Sequence, residues 1–139
     1  MKKMNYTNEE LCALANKARE ASYCPYSGHS VGAALVTASG KVYLGANIEN
    51  ASFSPTVCAE RVAFFKAINE GERDFVAIAV AGGKKGEEPA SHFPPCGVCR
   101  QVMSEFCSPD FTVIWGNSEK ITVKTLGEIL PFGFDKDSL

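Results

Sequence analysis

Two short segments hold the residues whose types and spacing could carry out chemistry. Cys96 and Cys99 form a Cys-x-x-Cys pair directly after two prolines, while Cys58 and Glu60 lie in an earlier segment. Such a pair is compatible with a redox couple, with part of a closed structural zinc site, or with part of a catalytic metal site. The choice among these depends on the rest of the chain.

Both cysteine segments fall at the starts of predicted helices, which span about 57–69 and 96–107. The free N–H groups and the helix dipole stabilise thiolates there. Three thiolates can bind Zn²⁺ and leave the fourth position open for water, as in a catalytic site. A redox couple is disfavoured because the pair lies late in the chain. A closed structural site needs a fourth ligand, and His29 and His92 are the only histidines.

Glu60 and Arg61 complete the chemical set around these thiols. Glu60 is too close to Cys58 in sequence to bind the metal comfortably beside it, so its carboxylate is predicted to remain free and to move protons. Three thiolates on Zn²⁺ leave a net charge of about −1, which weakens the acidification of water. Arg61, one helical turn from Cys58, is predicted to draw charge off the sulfur atoms.

Size and charge restrict the possible functions. The chain has 139 residues, 45% hydrophobic residues and a net charge of −2, which predicts one domain, residues 1–139. It has no apolar run of ~18 residues and no basic cluster, so we expect no membrane span and no nucleic acid polymer as partner. The segment 1–7 has no apolar stretch behind its charges, which predicts a cytoplasmic protein with reduced cysteines.

The elements that must position these residues follow from periodicity and turn signals. The pattern predicts helices and strands in this order: a helix capped by Thr7 and Glu10 and running to about Ser22, strands at 31–37 and 42–45, a helix at 57–69, a strand at 75–81, a loop at 82–94, a helix at 96–107, strands at 111–115 and 121–123, and a short helix at 125–130. This order predicts an α/β fold, a three-layer α/β/α sandwich with a mixed sheet of about five strands.

With these segments together, the chain resembles the zinc-dependent nucleoside deaminases, and within them the small homotetrameric cytidine deaminases. The matching segments cover nearly the whole length: Pro25-Tyr26-Ser27, 31–35, Asn47-Ile48-Glu49-Asn50-Ala51, Cys58-Ala59-Glu60-Arg61, 95–101 and the tail 130–134. The combination is far more specific than any one motif.

The resemblance implies a reaction and a set of roles. Cys58, Cys96 and Cys99 would bind one Zn²⁺ per subunit. Glu60 would take a proton from the attacking water, protonate N3 of the pyrimidine and later protonate the leaving ammonia. The expected activity is hydrolytic deamination of cytidine and 2′-deoxycytidine in pyrimidine salvage.

The resemblance also implies how a nucleoside substrate would be bound. Asn47 and Glu49 would hydrogen-bond the ribose 3′-hydroxyl, and the backbone of Ala59 would contact the base. Phe134 would stack on the pyrimidine in a neighbouring subunit's site, which makes the expected homotetramer one with composite active sites.

One position departs from the family pattern and leaves the substrate partly open. His29 stands where cytidine deaminases usually have Phe, and an imidazole can stack on a nucleoside or form a hydrogen bond with it. The alternative substrates are a modified cytosine nucleoside or blasticidin S, although keeping Asn47 to Asn50 favours a nucleoside. The alternative of another class is a non-catalytic structural-zinc or redox module.

Overall fold

A mixed five-stranded sheet with helices on both faces forms the fold in the computed structural model, which describes residues 4–139. The strands are β1 His29–Thr37, β2 Val42–Ala46, β3 Phe75–Lys84, β4 Thr112–Gly116 and β5 Ile121–Thr125. The helices are α1 Asn8–Ala18, α2 Ala59–Asn69, α3 Gly97–Phe106 and α4 Leu126–Ile129, with 3₁₀ turns at Arg19–Ala21 and Lys136–Ser138. Residues 1–3, part of the segment used to predict localisation, lie outside the described residues.

The sheet order is β2-β1-β3-β4-β5, and only the β3–β4 pair is parallel. β1 pairs antiparallel with both β2 and β3, and β4 pairs antiparallel with β5. The parallel pair requires a crossover, and α3 supplies it. The predicted mixed sheet of about five strands is therefore confirmed.

Each face of the sheet has its own hydrophobic core, because successive strand residues point to opposite faces. The core under α2 and α3 contains these sheet residues: Ala33, Leu35, Ile78, Val80, Val113 and Trp115. The core under α1 contains these: Ala34, Val36, Ala79, Ala81 and Ile114. The three layers are thus α1, the sheet, and α2 with α3, as the order of predicted elements requires.

Phe64 of α2 lies at the centre of the larger core. Its ring is fully buried and contacts the rings of Phe75, Phe106 and Phe111 at centroid distances of 5.1, 6.4 and 6.1 Å. These contacts join α2, β3 and the end of α3. They fix the relative position of the two helices that begin at the cysteine segments.

The chain's single tryptophan, Trp115 at the end of β4, belongs to the same core. It is 5% exposed, and its ring meets that of His92 edge-on at 6.3 Å. His92 lies in the segment that leads from β3 to Cys96. Trp115 therefore packs against the segment that leads to Cys96.

Among the predicted boundaries that differ from the structure, two bear on the site. β1 begins at His29 rather than at Val31, and β3 continues to Lys84 rather than ending at Ala81. The reason is the same in both cases, since His29 pairs with Lys84 and Ser30 pairs with Gly83. Glycines and polar residues indicated a loop, but backbone pairing between the two strands decides the structure. Within the described part of the chain, no helix has the length and apolarity that a membrane span requires.

Candidate active site

Three cysteines from two helix N-termini meet at one point. Cys58 is the N-cap residue of α2, Cys96 is the N-cap residue of α3, and Cys99 lies in the first turn of α3. Their sulfur atoms all lie within 4.8 Å of one another, and those of Cys58 and Cys96 are 3.7 Å apart. Both helix dipoles therefore direct their positive ends at the cluster, which favours negative charge there.

The thiols do not lose their protons equally. Hydrogen bonds from the Cys99 thiol and from Arg61 lower the pKa of Cys58 to about 5, although burial opposes this shift. The pKa of Cys99 is raised, because its thiol donates to Cys58 and is buried. One thiolate thus forms readily, and its charge opposes the next. A divalent cation among the sulfurs removes this opposition, so the cluster suits a metal that binds thiolates.

Arg61 lies against the cluster from the side of α2. Its Nη2 atom donates a hydrogen bond to the Cys58 sulfur at 3.3 Å. The Nε atom of the same guanidinium is buried and has no hydrogen-bond partner in the described part of the chain. The spacing in the sequence predicts that Arg61, one helical turn from Cys58, lies near its sulfur atom, and the structure brings the two side chains together.

Glu60 contributes a buried carboxyl group beside the same sulfurs. It is 3% exposed, and its Oε1 atom has no hydrogen-bond partner within residues 4–139. Burial is the main cause that raises the pKa of Glu60 to about 7; the charge of the nearby Cys58 acts in the same direction, while hydrogen bonds and the charge of Arg61 act against it. A buried carboxyl oxygen without a hydrogen bond is costly to the fold, which points to a task for Glu60 in the site.

Gly45 of β2 explains how α2 brings Glu60 so deep into the molecule. A Cβ atom at this position would lie 2.3 Å from the carbonyl oxygen of Ala59 and 2.6 Å from the backbone nitrogen of Ala63. No side chain fits there, so glycine allows the first turn of α2 to lie directly on β2. The position of the catalytic candidate therefore depends on a glycine in the neighbouring strand.

Asn47, directly after β2, uses its side chain to bind the start of β1. Its Nδ2 atom donates to the carbonyl oxygen of His29 at 2.9 Å, and its Oδ1 atom accepts from the Val31 N–H at 2.9 Å. The amide is buried. The side chain retains one further N–H that can donate a hydrogen bond.

Glu49 binds the loop before β1 and lines a cavity. Its Oε1 atom accepts from the backbone N–H groups of Tyr26 and Ser27 at 2.9 and 3.0 Å, and its other oxygen accepts from the Ser27 hydroxyl. The hydrogen bonds from Ser27 and Tyr26 lower the pKa of Glu49. The cavity has a volume of about 350 Å³, and its wall includes Phe53 and Thr56.

His29 is exposed at the first position of β1, and its ring is oriented by the preceding loop. Its Nδ1 atom lies 3.1 Å from the carbonyl oxygen of Ser27, and its backbone N–H donates to the Ser27 hydroxyl at 3.0 Å. A carbonyl can only accept, so Nδ1 carries the proton. A neutral ring then has its acceptor at Nε2.

The remaining predicted site residues lie in different surroundings. Ala59 is fully buried at the first position of α2, between Cys58 and Glu60. Phe134 is 60% exposed on the C-terminal tail, where its carbonyl oxygen accepts a 2.7 Å hydrogen bond from Gln101 of α3. The tail is therefore tied to the helix that carries Cys99, while the aromatic ring itself faces outward.

Sequence reasoning missed three side chains that hold this site in shape. Ser27 belongs to a matching segment, but no role was predicted for its hydroxyl. Arg100 donates to the carbonyl oxygens of Pro95 and Ile129 at 2.8 and 2.7 Å and so fixes the approach to Cys96. Arg19 is buried, although a charged residue at the end of an amphipathic helix reads as a solvent-exposed one.

Comparison with known proteins decides the family. The model of the cytidine and deoxycytidylate deaminase zinc-binding region matches residues 5–115. The chain belongs to this deaminase family. Its fold and its cluster of three thiols agree with membership, and zinc is accordingly the metal that Cys58, Cys96 and Cys99 are suited to hold.

Individual members of the deaminase family are similar over nearly their full length. Cytidine deaminases of Halalkalibacterium halodurans and Sporosarcina psychrophila are 51% and 47% identical, with 90% and 94% of this chain and 92% and 93% of the relatives covered. The crystal structure of cytidine deaminase from Burkholderia pseudomallei is 44% identical and superposes with a TM-score of 0.82, covering 93% of this chain and all of that one.

Proposed function

We propose that the protein catalyses the hydrolytic deamination of cytidine and 2′-deoxycytidine to uridine and 2′-deoxyuridine with release of ammonia. The observation that carries the proposal is the buried carboxyl group of Glu60, one oxygen of which lacks a hydrogen-bond partner among the described residues, beside three clustered thiols, in a chain that belongs to the deaminase family. A structural zinc site needs no such carboxyl group. A redox pair needs neither the third thiol nor the carboxyl group.

Cys58, Cys96 and Cys99 would hold one zinc ion per subunit. When bound, zinc supplies Lewis acidity, which makes a water molecule more acidic and stabilises negative charge on oxygen. Arg61, which donates to the Cys58 sulfur, offsets part of the negative charge that three thiolates contribute. The same guanidinium keeps Cys58 in its anionic form, as a ligand must be.

Glu60 would move the protons of the reaction. It accepts one proton from the water that adds to C4 of the base and donates that proton to N3. It then carries the second proton of that water to the amino group, so that the C4–N bond breaks, ammonia leaves and a C4 carbonyl remains. A carboxyl group with a pKa of about 7 is suited to both directions of transfer near neutral pH.

The nucleoside would occupy the cavity lined by Glu49 and bounded by the loop before β1. The remaining N–H of Asn47 and the carboxylate of Glu49 are suited to the ribose 3′-hydroxyl, which both donates and accepts. The backbone of Ala59, next to Glu60, would contact the base. The imidazole of His29 would form part of the pocket wall.

We further propose that the protein acts in the cytoplasm, in pyrimidine salvage, as a homotetramer whose sites are composite. Phe134 supports this assembly, since its ring faces outward while Gln101 holds its backbone. A neighbouring subunit could receive that ring against its bound pyrimidine. Burial of exposed aromatic rings in an interface is also favourable.

Glu60→Ala tests the proposed function directly. The wild-type protein is expected to bind one zinc ion per subunit and to deaminate cytidine. The reaction is measured as the loss of cytidine absorbance. Glu60→Ala is expected to remain folded and zinc-loaded but inactive, and Glu60→Gln, which retains the shape, is the matched variant. Deaminase activity retained in either variant would remove Glu60 as the proton carrier.

Blasticidin S is the second candidate substrate, because the blasticidin-S deaminase of Bacillus cereus is 30% identical over 142 residues. Turnover of cytidine and of blasticidin S is compared on one zinc-loaded preparation. We expect cytidine to be the better substrate by kcat/KM. Preferential turnover of blasticidin S would overturn the choice of substrate but leave the family and the zinc site unchanged.

A further inference from the structure

Arg19, in the 3₁₀ turn after α1, is a buried cation held by neutral groups. It is 7% exposed. Its Nε atom donates to the carbonyl oxygen and the hydroxyl of Ser30 at 2.9 and 3.1 Å, and Nη1 donates to Asn16 Oδ1 and to the carbonyl oxygen of Glu87, both at 3.0 Å. The Nη2 atom donates to the carbonyl oxygen of Lys84 at 3.0 Å. Every one of these five acceptors is uncharged.

The number and geometry of these hydrogen bonds set Arg19 apart from a surface arginine. Burying a charge is costly unless its hydrogen bonds are replaced within the protein. The planar fork of a guanidinium can reach several carbonyl oxygens at once, which an ammonium group cannot. Arg19 therefore specifies the positions of three separate segments: the end of α1, the start of β1 and the turn that follows β3.

Gly32 of β1 allows the arginine to come so close. A Cβ atom at Gly32 would lie 1.9 Å from the carbonyl oxygen of Ala15 and 2.7 Å from the backbone nitrogen of Arg19. The last turn of α1 therefore lies directly on β1. The guanidinium group of Arg19 therefore contacts β1 at Ser30, next to His29.

The backbone on each side of His29 is connected to Arg19. On one side, Arg19 binds the carbonyl oxygen of Ser30. On the other side, the carbonyl oxygen of Gly28 accepts a 2.8 Å hydrogen bond from the Lys85 N–H, and the turn containing Lys85 is held by Arg19 at Lys84 and Glu87. The imidazole thus stands on a backbone that Arg19 fixes on both sides.

Asn47 fixes the same short stretch from the opposite edge of β1. It donates to the His29 carbonyl oxygen and accepts from the Val31 N–H. The backbone at His29, which carries the ring, is therefore held by two polar side chains, Asn47 and Arg19.

We propose that Arg19 is a positioning residue for substrate binding, which sets the pocket wall at His29 by holding the start of β1 and the 84–87 turn together. The inference rests on the proposed function in one respect, because it takes His29 to face the bound nucleoside. Arg19 acts only through His29 and its neighbours. Its loss therefore weakens substrate binding while the metal centre and the proton chemistry of Glu60 are retained.

A double-mutant cycle with Arg19→Met and His29→Ala tests this coupling on the zinc-loaded full chain. Arg19→Met is expected to raise KM for cytidine about tenfold and to change kcat less than about threefold, since misplacement of a binding group affects mainly affinity. In the His29→Ala background, the same change is expected to raise KM less than about threefold, because coupled residues are not additive. Equal effects in both backgrounds, or an unchanged KM, would overturn the proposal.

Two further variants separate positioning from general stability. Arg73→Met is the matched control, since Arg73 is exposed and binds the carbonyl oxygens of Ile68 and Glu72; it is expected to leave KM unchanged. Arg19→Lys retains the charge but reaches fewer acceptors, so an intermediate KM is expected. If Arg19→Met does not fold, Arg19→Lys takes its place in the double-mutant cycle.

Hydrogen exchange gives a result that does not depend on activity. The Lys85 amide is expected to lose protection in Arg19→Met, while amides in the centre of β3 keep theirs. Unchanged protection at Lys85 would overturn the positioning role. Failure of the zinc-loaded wild type to deaminate cytidine would instead refute the proposed function, so the two failures are distinguishable.

Discussion

Gly45→Ala is expected to displace α2, the helix that carries Glu60, by adding a single methyl group. The new Cβ atom would lie 2.3 Å from the Ala59 carbonyl oxygen and 2.6 Å from the Ala63 nitrogen, whereas ordinary contact begins at 3.4 Å. Both obstacles are backbone atoms of α2, so no side chain can move aside. The first turn of α2 must therefore shift by about 1 Å, a displacement that can reduce activity about a hundredfold when it moves a catalytic group.

The effect on stability is expected to be similar in free energy to the effect on activity, since a 10- to 100-fold loss of kcat/KM corresponds to about 1.4–2.7 kcal/mol. Inserting one methyl group into a well-packed core costs about 1–3 kcal/mol. For a chain of this size such a loss lowers Tm by roughly 3–10 °C. Because Cys58 and Glu60 sit at the start of the displaced helix, kcat/KM for cytidine is expected to fall by about 10- to 100-fold in protein that is still folded.

Gly97→Ala is the matched control for this prediction. Gly97 lies beside Cys96 at the start of α3, and an added Cβ atom meets nothing within 4 Å. Tm and zinc content of this variant are expected to equal those of the wild type. A Gly45→Ala protein with wild-type Tm and wild-type kcat/KM would refute the dependence of the site on the close contact between β2 and α2.

Three further perturbations test the core, the pocket and the pH response. Phe64→Ala should lower the free energy of unfolding by about 3–5 kcal/mol in urea titrations. The control Phe65→Ala, at a position 44% exposed, should lower it by less than half as much. Equal losses in the two variants would contradict the central place of Phe64 in the core. Asn47→Asp keeps the acceptor for the Val31 N–H but places a carboxylate against the His29 carbonyl oxygen. This variant should have a higher KM for cytidine and a fold destabilised by about 1–3 kcal/mol. An unchanged KM would count against a place for Asn47 in the substrate pocket. The hydrogen bond to Glu70 raises the pKa of Tyr43 to about 12 from 10.0. The contribution of this hydrogen bond to stability is therefore fully present below pH 10 and is lost as the pH rises toward about 12. The stability of Tyr43→Phe should depend less on pH across that interval, and urea midpoints that change in parallel for the two proteins would exclude the effect.

Local signals in the sequence predict the elements that position the chemistry. Thr7 and Glu10 form the predicted capping box, in which each side chain accepts from the other's backbone N–H. Cys58 and Cys96 lie at helix starts because a proline-containing or polar connection precedes each helix, and both signals are local. The alternation of helices and strands was sufficient to predict the three layers.

Other features depend on contacts between distant segments, which the sequence does not display. His29 belongs to β1 because Lys84 pairs with it, and Gly82 and Gly83 read as a loop until their strand partners are known. Asn47 and Glu49 were predicted from resemblance as sugar ligands, but their hydrogen bonds to the start of β1 and to the preceding loop were not foreseen. Arg19 could not be distinguished from an exposed helical arginine, because its acceptors are mostly backbone carbonyl groups.

Trp115 provides the molecule with an intrinsic optical reporter. Its indole is the only one in the chain, it is buried with Nε1 lacking a hydrogen-bond partner, and its ring contacts His92 in the segment that leads to Cys96. Tryptophan emission shifts when buried rings gain water. Fluorescence can therefore follow the ordering of this segment during metal loading or refolding without any attached dye.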